Sequence, residues 1–311
     1  MADARPGEIV RPILKWAGGK RQLLPQLRPY YPAEFQRYIE PFIGSGAVFL
    51  DLHNAGLLDG REVCLSDINA DIIGCYRVVR DHVDELIAEL RALDAAYSAG
   101  GAAHFYEVRN ARFNPIRRRV QAEPDPAAAY TAALAAMFIF LNRTGYNGLF
   151  RVNARGDFNV PAGRHTRPRI CDELNVRRLS AALARPGLSL QVRPFEAALA
   201  DAGPGDFVYL DPPYAPVSDT ARFTSYHRDG FGMAAQERLQ QSVVAAAARG
   251  VLILLSNSAV PHIRQLYGVD SDAQRVGLQT RTVHARRAIN SRATRRGPVG
   301  EYLISNVPPR G

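Results

Sequence analysis

The stretch YIEPFIGSGAVFLDLHNAG, residues 38–56, decides the fold class. It reads as a short strand, a glycine turn and a helix running to Gly56. Glycines at Gly44 and Gly46 let a ligand approach the backbone, and the start of the helix offers free N–H groups. A lone G-x-G is a weak signal, and the third glycine of the dinucleotide fingerprint is missing. REVCLSDIN, residues 61–69, then reads as a second strand ending at Asp67. An acid at that place can accept from both hydroxyls of a ribose. Asp67 and Asn69 suit a helix N-cap equally well.

The same grammar returns after about residue 170. LSLQV (188–192), FVYL (207–210) and VLILLS (251–256) read as strands, and a last strand is expected at GEYLISN (300–306). AAQERLQQSVVAAAARG (234–250) reads as a helix closed by Gly250. Residues 69–141 show helical periodicity, broken at Glu123–Pro126. TGYNGLFRVNARGDFNVPAG (144–163) has the composition of a hairpin and loop. The expected fold is α/β, a doubly wound Rossmann-like sheet split by a mainly helical insertion. The boundaries are 1–69 and 170–311 for the sheet domain and 70–169 for the insertion. Ligands of such sheets bind at the carboxyl ends of strands, where Asp67 and Asp211 both fall.

DFVYLDPPY, residues 206–214, carries the chemistry. A buried strand stops at Asp211, in a turn that Pro212 and Pro213 stiffen, with the ring of Tyr214 just beyond. Tyr209 alternates to the strand's face and is expected in the core. The Asp211 carboxylate and the Pro212 carbonyl are two acceptors suited to an exocyclic amine. Such an amine is a poor nucleophile while its lone pair is delocalised into the base. Acceptors aimed at its hydrogens favour a tetrahedral nitrogen that can attack an activated methyl group. Tyr214 can stack on a base taken out of its helix. No metal is needed for this chemistry. None of the three cysteines follows a proline in the manner of a cytosine-C5 nucleophile.

Composition agrees with a polyanionic partner. The net charge is +9, and of 39 basic residues only Lys15 and Lys20 are lysines. Arginine far outnumbers acid over residues 109–169. Residues 281–296 hold six arginines and no acid. These side chains would neutralise phosphates and make binding salt-dependent. Arg117, Arg118 and Arg119 are read as a solvated basic face. Three cysteines without C-x-x-C spacing, no apolar leader and no long apolar run point to a reducing, cytoplasmic setting without a membrane span.

LKWAGGKRQLLPQL (14–27), EPFIGSGAVFL, SDIN, NRTGYNGLFRVNARGDFNVPAG and DPPYAPVSDTARFTSYH together resemble the Dam-type, or D12 class, DNA adenine-N6 methyltransferases, in that family's motif order. The likeness spans roughly residues 10–310. It implies S-adenosyl-L-methionine as cofactor and double-stranded DNA as partner, with GATC as favoured target and a monomer in solution. It implies Asp211, Pro212 and Tyr214 as catalytic residues. The cofactor would be held by Trp16, Lys20, Glu40, Phe42, Gly44, Gly46, Asp67 and Asp211. Lys15 would face DNA, and Tyr146, Asn147, Leu149, Arg151 and Pro161 would meet it from the inserted target-recognition domain. His165 departs from the tyrosine usual in the best-known member of the family. The rival readings are another amino-methyltransferase, acting on cytosine N4, RNA or protein glutamine, and an inactive DNA-binding homologue. Asp rather than Ser or Asn before Pro-Pro-Tyr disfavours the usual forms of the first.

Overall fold

A computed structural model of the chain describes residues 9–16, 20–214, 231–286 and 298–310. Seven strands form one sheet: β1 Tyr38–Glu40, β2 Val63–Asp67, β3 Leu188–Val192, β4 Phe207–Leu210, β5 Leu252–Ser258, β6 Gln279–Arg286 and β7 Pro298–Ser305, in the order β3-β2-β1-β4-β5-β7-β6. β1 runs parallel to β2 and β4, and β4 parallel to β5. β7 lies antiparallel between β5 and β6. The order reverses between β1 and β4, which marks the ligand-binding crevice of an open α/β sheet. The fold is the expected α/β class, with one antiparallel strand set into it.

β4 is buried at every position, as a central parallel strand covered on both faces must be. Ile39, Val208, Leu210, Ile253 and Leu255 share a core with Leu239 and Val243 of the helix Met233–Ala248. Tyr209 lies in the core as expected, 1 % exposed. β6 was not foreseen. QTRTVHAR is a polar edge strand with no apolar run to announce it. β7 opens two residues earlier than expected, at Pro298.

By internal contacts the described residues divide into two units. One holds those of 1–19, 44–57 and 67–192, the other those of 20–43, 58–66 and 193–311. The first contains the expected helical run: Ala70–Asp81, Val83–Glu107 bent at Gly101, a π-helical stretch Val108–Phe113, Asn114–Val120 and Ala132–Thr144. Residues 121–131 interrupt it, around the Glu123–Pro126 break. Asn69 caps the helix Ala70–Asp81 by accepting from the Asp71 N–H at 3.0 Å.

The expected hairpin over 144–163 is only partly formed. Isolated antiparallel bridges join Gly145 to Ala162 and Val152 to Phe158, and no continuous ladder connects them. Pro161 has no N–H to give, and Asn147, Gly148 and Gly156 take positive φ, which bends the chain out of strand geometry.

Candidate active site

In the sheet unit, Asp211 leaves the carboxyl end of β4 beside Lys20. Lys20 Nζ lies 3.0 Å from Asp211 Oδ1 and 3.6 Å from Glu301 Oε2 on β7. The Tyr214 hydroxyl donates to Glu301 at 2.6 Å and accepts from Lys20, whose ammonium stands 4.2 Å from the tyrosine ring centroid. Ser256 on β5 donates to Asp211 Oδ1 at 3.3 Å, and the Tyr209 hydroxyl pairs with Ser256 at 3.1 Å. Two carboxylates thus share one ammonium, in a place where Lys20 is 4 % and the Asp211 side chain 19 % exposed.

Burial pushes the Asp211 carboxyl up to about 6. Lys20 pulls it down, Glu301 pushes it further up, and the Ser256 bond lowers it. Burial, then the charges of Asp211 and Glu301, hold the Tyr214 phenol well above its ordinary range, so it remains a donor. Among the described residues no hydrogen bond reaches the Pro212 carbonyl. The Pro213 carbonyl is occupied by Gln236 at 3.0 Å, which Asn257 holds in turn at 2.9 Å. Glu40 ends β1, the neighbouring strand, and accepts from the Tyr38 hydroxyl at 2.7 Å. Phe42 stacks on Phe195 with centroids 5.5 Å apart and meets Phe231 edge-on.

The other unit carries the glycine turn. Gly44 donates its N–H to Asp67 Oδ2 at 3.2 Å, and Asn69 donates to Asp67 Oδ1 at 3.0 Å. The Gly44 carbonyl accepts from the Tyr76 hydroxyl at 3.0 Å. Gly44 has φ +46, and a Cβ there would lie 2.8 Å from Trp16 Cδ1. The turn therefore needs glycine twice over, for its backbone angle and for the indole against it. Gly46, at φ +67, opens the helix Ala47–Asn54. Burial pushes the Asp67 carboxyl up to about 6, against the N–H groups of Asn69, Gly44 and Ile68, which pull it down. Asn69 takes the cap, and Asp67 keeps spare lone pairs, since Oδ1 accepts from Asn69, Oδ2 accepts from Gly44 and each oxygen has a second lone pair.

In the same unit, Trp16 stacks on Phe150 with centroids 5.6 Å apart. Asn142 fastens this strip by bonding both the N–H and the carbonyl of Lys15, at 2.7 Å each, and the Gly148 carbonyl at 3.0 Å. Lys15 is exposed, and its ammonium donates to the Arg143 carbonyl at 3.4 Å. Partial burial, then the Arg143 charge, lower its pKa. Tyr146 is 42 % exposed. Its N–H donates to the Pro161 carbonyl at 2.9 Å. Asn147 sits at φ +55, and Leu149 is half-buried. Arg151 is exposed and donates its Nε to Asn159 at 2.8 Å.

A family model described as D12 class N6 adenine-specific DNA methyltransferase matches residues 16–281. The chain belongs to this family. It is 33% identical to a DNA adenine methylase of Escherichia coli (strain K12) across 301 residues, 96% of each chain. A type II methyltransferase of Methanocaldococcus jannaschii is 37% identical over 96% of this chain and 99% of its own. Another type II methyltransferase, from Lactococcus lactis subsp. cremoris, is 32% identical over 96% and 95%.

The chain is accordingly an adenine-specific DNA methyltransferase, and its substrate is DNA. Among the described residues no helix is long and apolar enough to cross a membrane. Two features of this methyltransferase escaped the sequence. Glu301 stands in a strand far along the chain, and only tertiary structure brings it to Tyr214. Ile68 is 68 % exposed directly after Asp67, and an apolar residue wedged between Asp67 and Asn69 was the available clue.

One expectation is corrected. Arg117 is not on a solvated face. Its guanidinium is buried against Asp71, with Nη2 at 2.7 Å and Nε at 2.9 Å, and it also donates to the Gly156 carbonyl. Tyr130 and Gln121 complete the Asp71 shell at 2.7 and 3.1 Å. A fully buried carboxylate on the helix Ala70–Asp81 required a bidentate partner, and sequence spacing does not show which arginine supplies it. Arg118 and Arg119 are exposed as expected, with Arg118 paired to Asp157 at 3.1 Å. The segment after Tyr214 that carries APVSDTARFTSYH, and the arginines at 287, 292, 295 and 296, lie outside the described residues.

Proposed function

We propose that the enzyme transfers a methyl group from S-adenosyl-L-methionine to N6 of an adenine swung out of duplex DNA, with GATC as its target. One observation carries this reading above the others. A largely buried carboxylate at the end of β4 stands beside a proline carbonyl that no described residue occupies. Asp211 and Pro212 would accept the two N6 hydrogens and localise the nitrogen lone pair. The carboxylate must be ionised to accept, so its elevated pKa sets the lower pH limit of activity. Tyr214 would stack on the extruded ring and offset part of the few kcal/mol that extrusion costs.

The residues of the glycine turn fit the proposed cofactor. Asp67 has lone pairs to spare for two hydroxyl donors, and Ile68 offers an exposed apolar surface to a purine. Gly44 and Gly46 keep side chains out of the way, and Trp16 packs against the turn. Glu40, Phe42 and Lys20 complete the proposed set. S-adenosyl-L-methionine supplies, when bound, a methyl group already activated on a sulfonium, so the protein's task is positioning and charge placement. Residues 70–169 serve as the target-recognition domain. Lys15, Tyr146, Asn147, Leu149, Arg151 and Pro161 face DNA, and Arg151 reads a guanine through the end of its guanidinium.

Incubation of purified protein with unmethylated plasmid and labelled cofactor, followed by digestion to nucleosides, tests the reaction. N6-methyladenine at GATC sites is expected. Label in N4-methylcytosine, or in no base at all, would overturn it.

A further inference from the structure

We propose that Glu301 is a positioning residue for methyl transfer, which from β7 anchors the Tyr214 ring through its hydroxyl and shares Lys20 with Asp211. The inference rests on the reading of Asp211 as the acceptor of the amine.

The turn at Pro212 and Pro213 leaves the Tyr214 ring free. Proline rings fix φ at positions 212 and 213, yet nothing in them fixes the side-chain torsions of Tyr214. A ring that must lie flat against a base needs a second point of attachment. Glu301 provides it at 2.6 Å, the length of a charge-assisted bond from a hydroxyl to a carboxylate. Its own backbone is held from both sides, paired with Ser258 on β5 and with Val283 on β6. An anchor on a strand with two partners cannot drift as one on a loop can.

Around Asp211 stand Lys20, Glu301 on β7, Tyr214 beyond β4, Tyr209 on β4 and Ser256 on β5. Only one of these is a cation, and it is divided between two acids. A second buried carboxylate is a poor way to stabilise a sheet, because removing it from water costs more than half a lysine returns. It does, however, weaken the hold of Lys20 on Asp211 Oδ1. That oxygen then exchanges its ammonium for an amine hydrogen more readily. The same charge raises the Asp211 pKa, which gives the role a signature.

The test compares Glu301→Gln, Glu301→Asp, Tyr214→Phe and Asp211→Asn with the parent enzyme. Each is assayed for kcat and KM on a GATC duplex from pH 5 to 8. Glu301→Gln keeps the size and one acceptor but removes the charge. It is expected to lower kcat about tenfold, as loss of a charged hydrogen-bond partner does, and to move the acid limb of kcat/KM to lower pH. Tyr214→Phe should lower kcat with the limb in its original place. Glu301→Asp should recover part of the loss. A Glu301→Gln profile that superimposes on the parent overturns the inference, as does a uniform drop at every pH with an unmoved limb, the mark of a smaller folded fraction. If Asp211→Asn retains transfer, the reading of Asp211 itself falls. If Asp211→Asn is inactive while Glu301→Gln matches the parent, only the role of Glu301 falls.

Discussion

The end of β4 and the loop 144–163 hold their side chains by opposite means. At Asp211 the side chains hold one another: two acids, one ammonium, a phenol and a serine, all largely out of water. In the loop the backbone is what is held. Asn142 fastens Lys15 and Gly148, Arg117 fastens Gly156, and Asn114 bonds both backbone groups of Phe158 at 2.9 and 3.1 Å. The tips of Tyr146 and Arg151 are left exposed. Chemistry needs a fixed charge at a fixed point. Reading a base sequence needs a firm frame with side chains able to reach.

Breaking the first arrangement should have the largest effect. Asp211→Asn is expected to lower kcat by about a thousandfold, the upper range for one preorganised polar group. Affinity for duplex, followed by fluorescence anisotropy, should stay near the parent value. A large affinity loss instead would make Asp211 a structural residue and blur the contrast.

Next comes the frame of the second. Arg117→Leu leaves Asp71 buried without its cation and should cost about 3–5 kcal/mol of stability. Chemical denaturation would report it, and a loss below about 1 kcal/mol would place Arg117 among ordinary surface pairs. Arg151→Ala, at an exposed position of the loop that Arg117 fastens, should leave stability unchanged. It should lower discrimination at a single base pair by about 1–3 kcal/mol. A uniform decline over all sequences would instead make it a phosphate contact.

The smallest expected effect sharpens the division of labour. Asp67 must be ionised to accept from ribose hydroxyls, and burial brings its carboxyl to about 6. Cofactor affinity measured without DNA should therefore strengthen as pH rises through about 6 and level off above it. Trp16, the sole tryptophan, gives the signal. An affinity constant from pH 5 to 8 would remove Asp67 from the cofactor.

Sequence legibility followed the range of the interactions involved. β1, β2, β4 and the glycine turn were readable because apolar runs and glycines act locally. Asp211 and Asp67 were readable because each ends such a run. β6 was hidden, since an edge strand needs no apolar pattern. The place of Arg117 was hidden as well, because its partner Asp71 lies 46 residues away. Glu301 is 87 residues from Tyr214, and no local rule links the two.

The central claim is that an ionised Asp211 grips the amine that receives the methyl group. Its most direct test is kcat/KM for methyl transfer to a GATC duplex as a function of pH, at saturating cofactor. The account predicts a rise through about 6, where the Asp211 carboxyl titrates, and a plateau above it. A rate unchanged between pH 5 and 8 would contradict it.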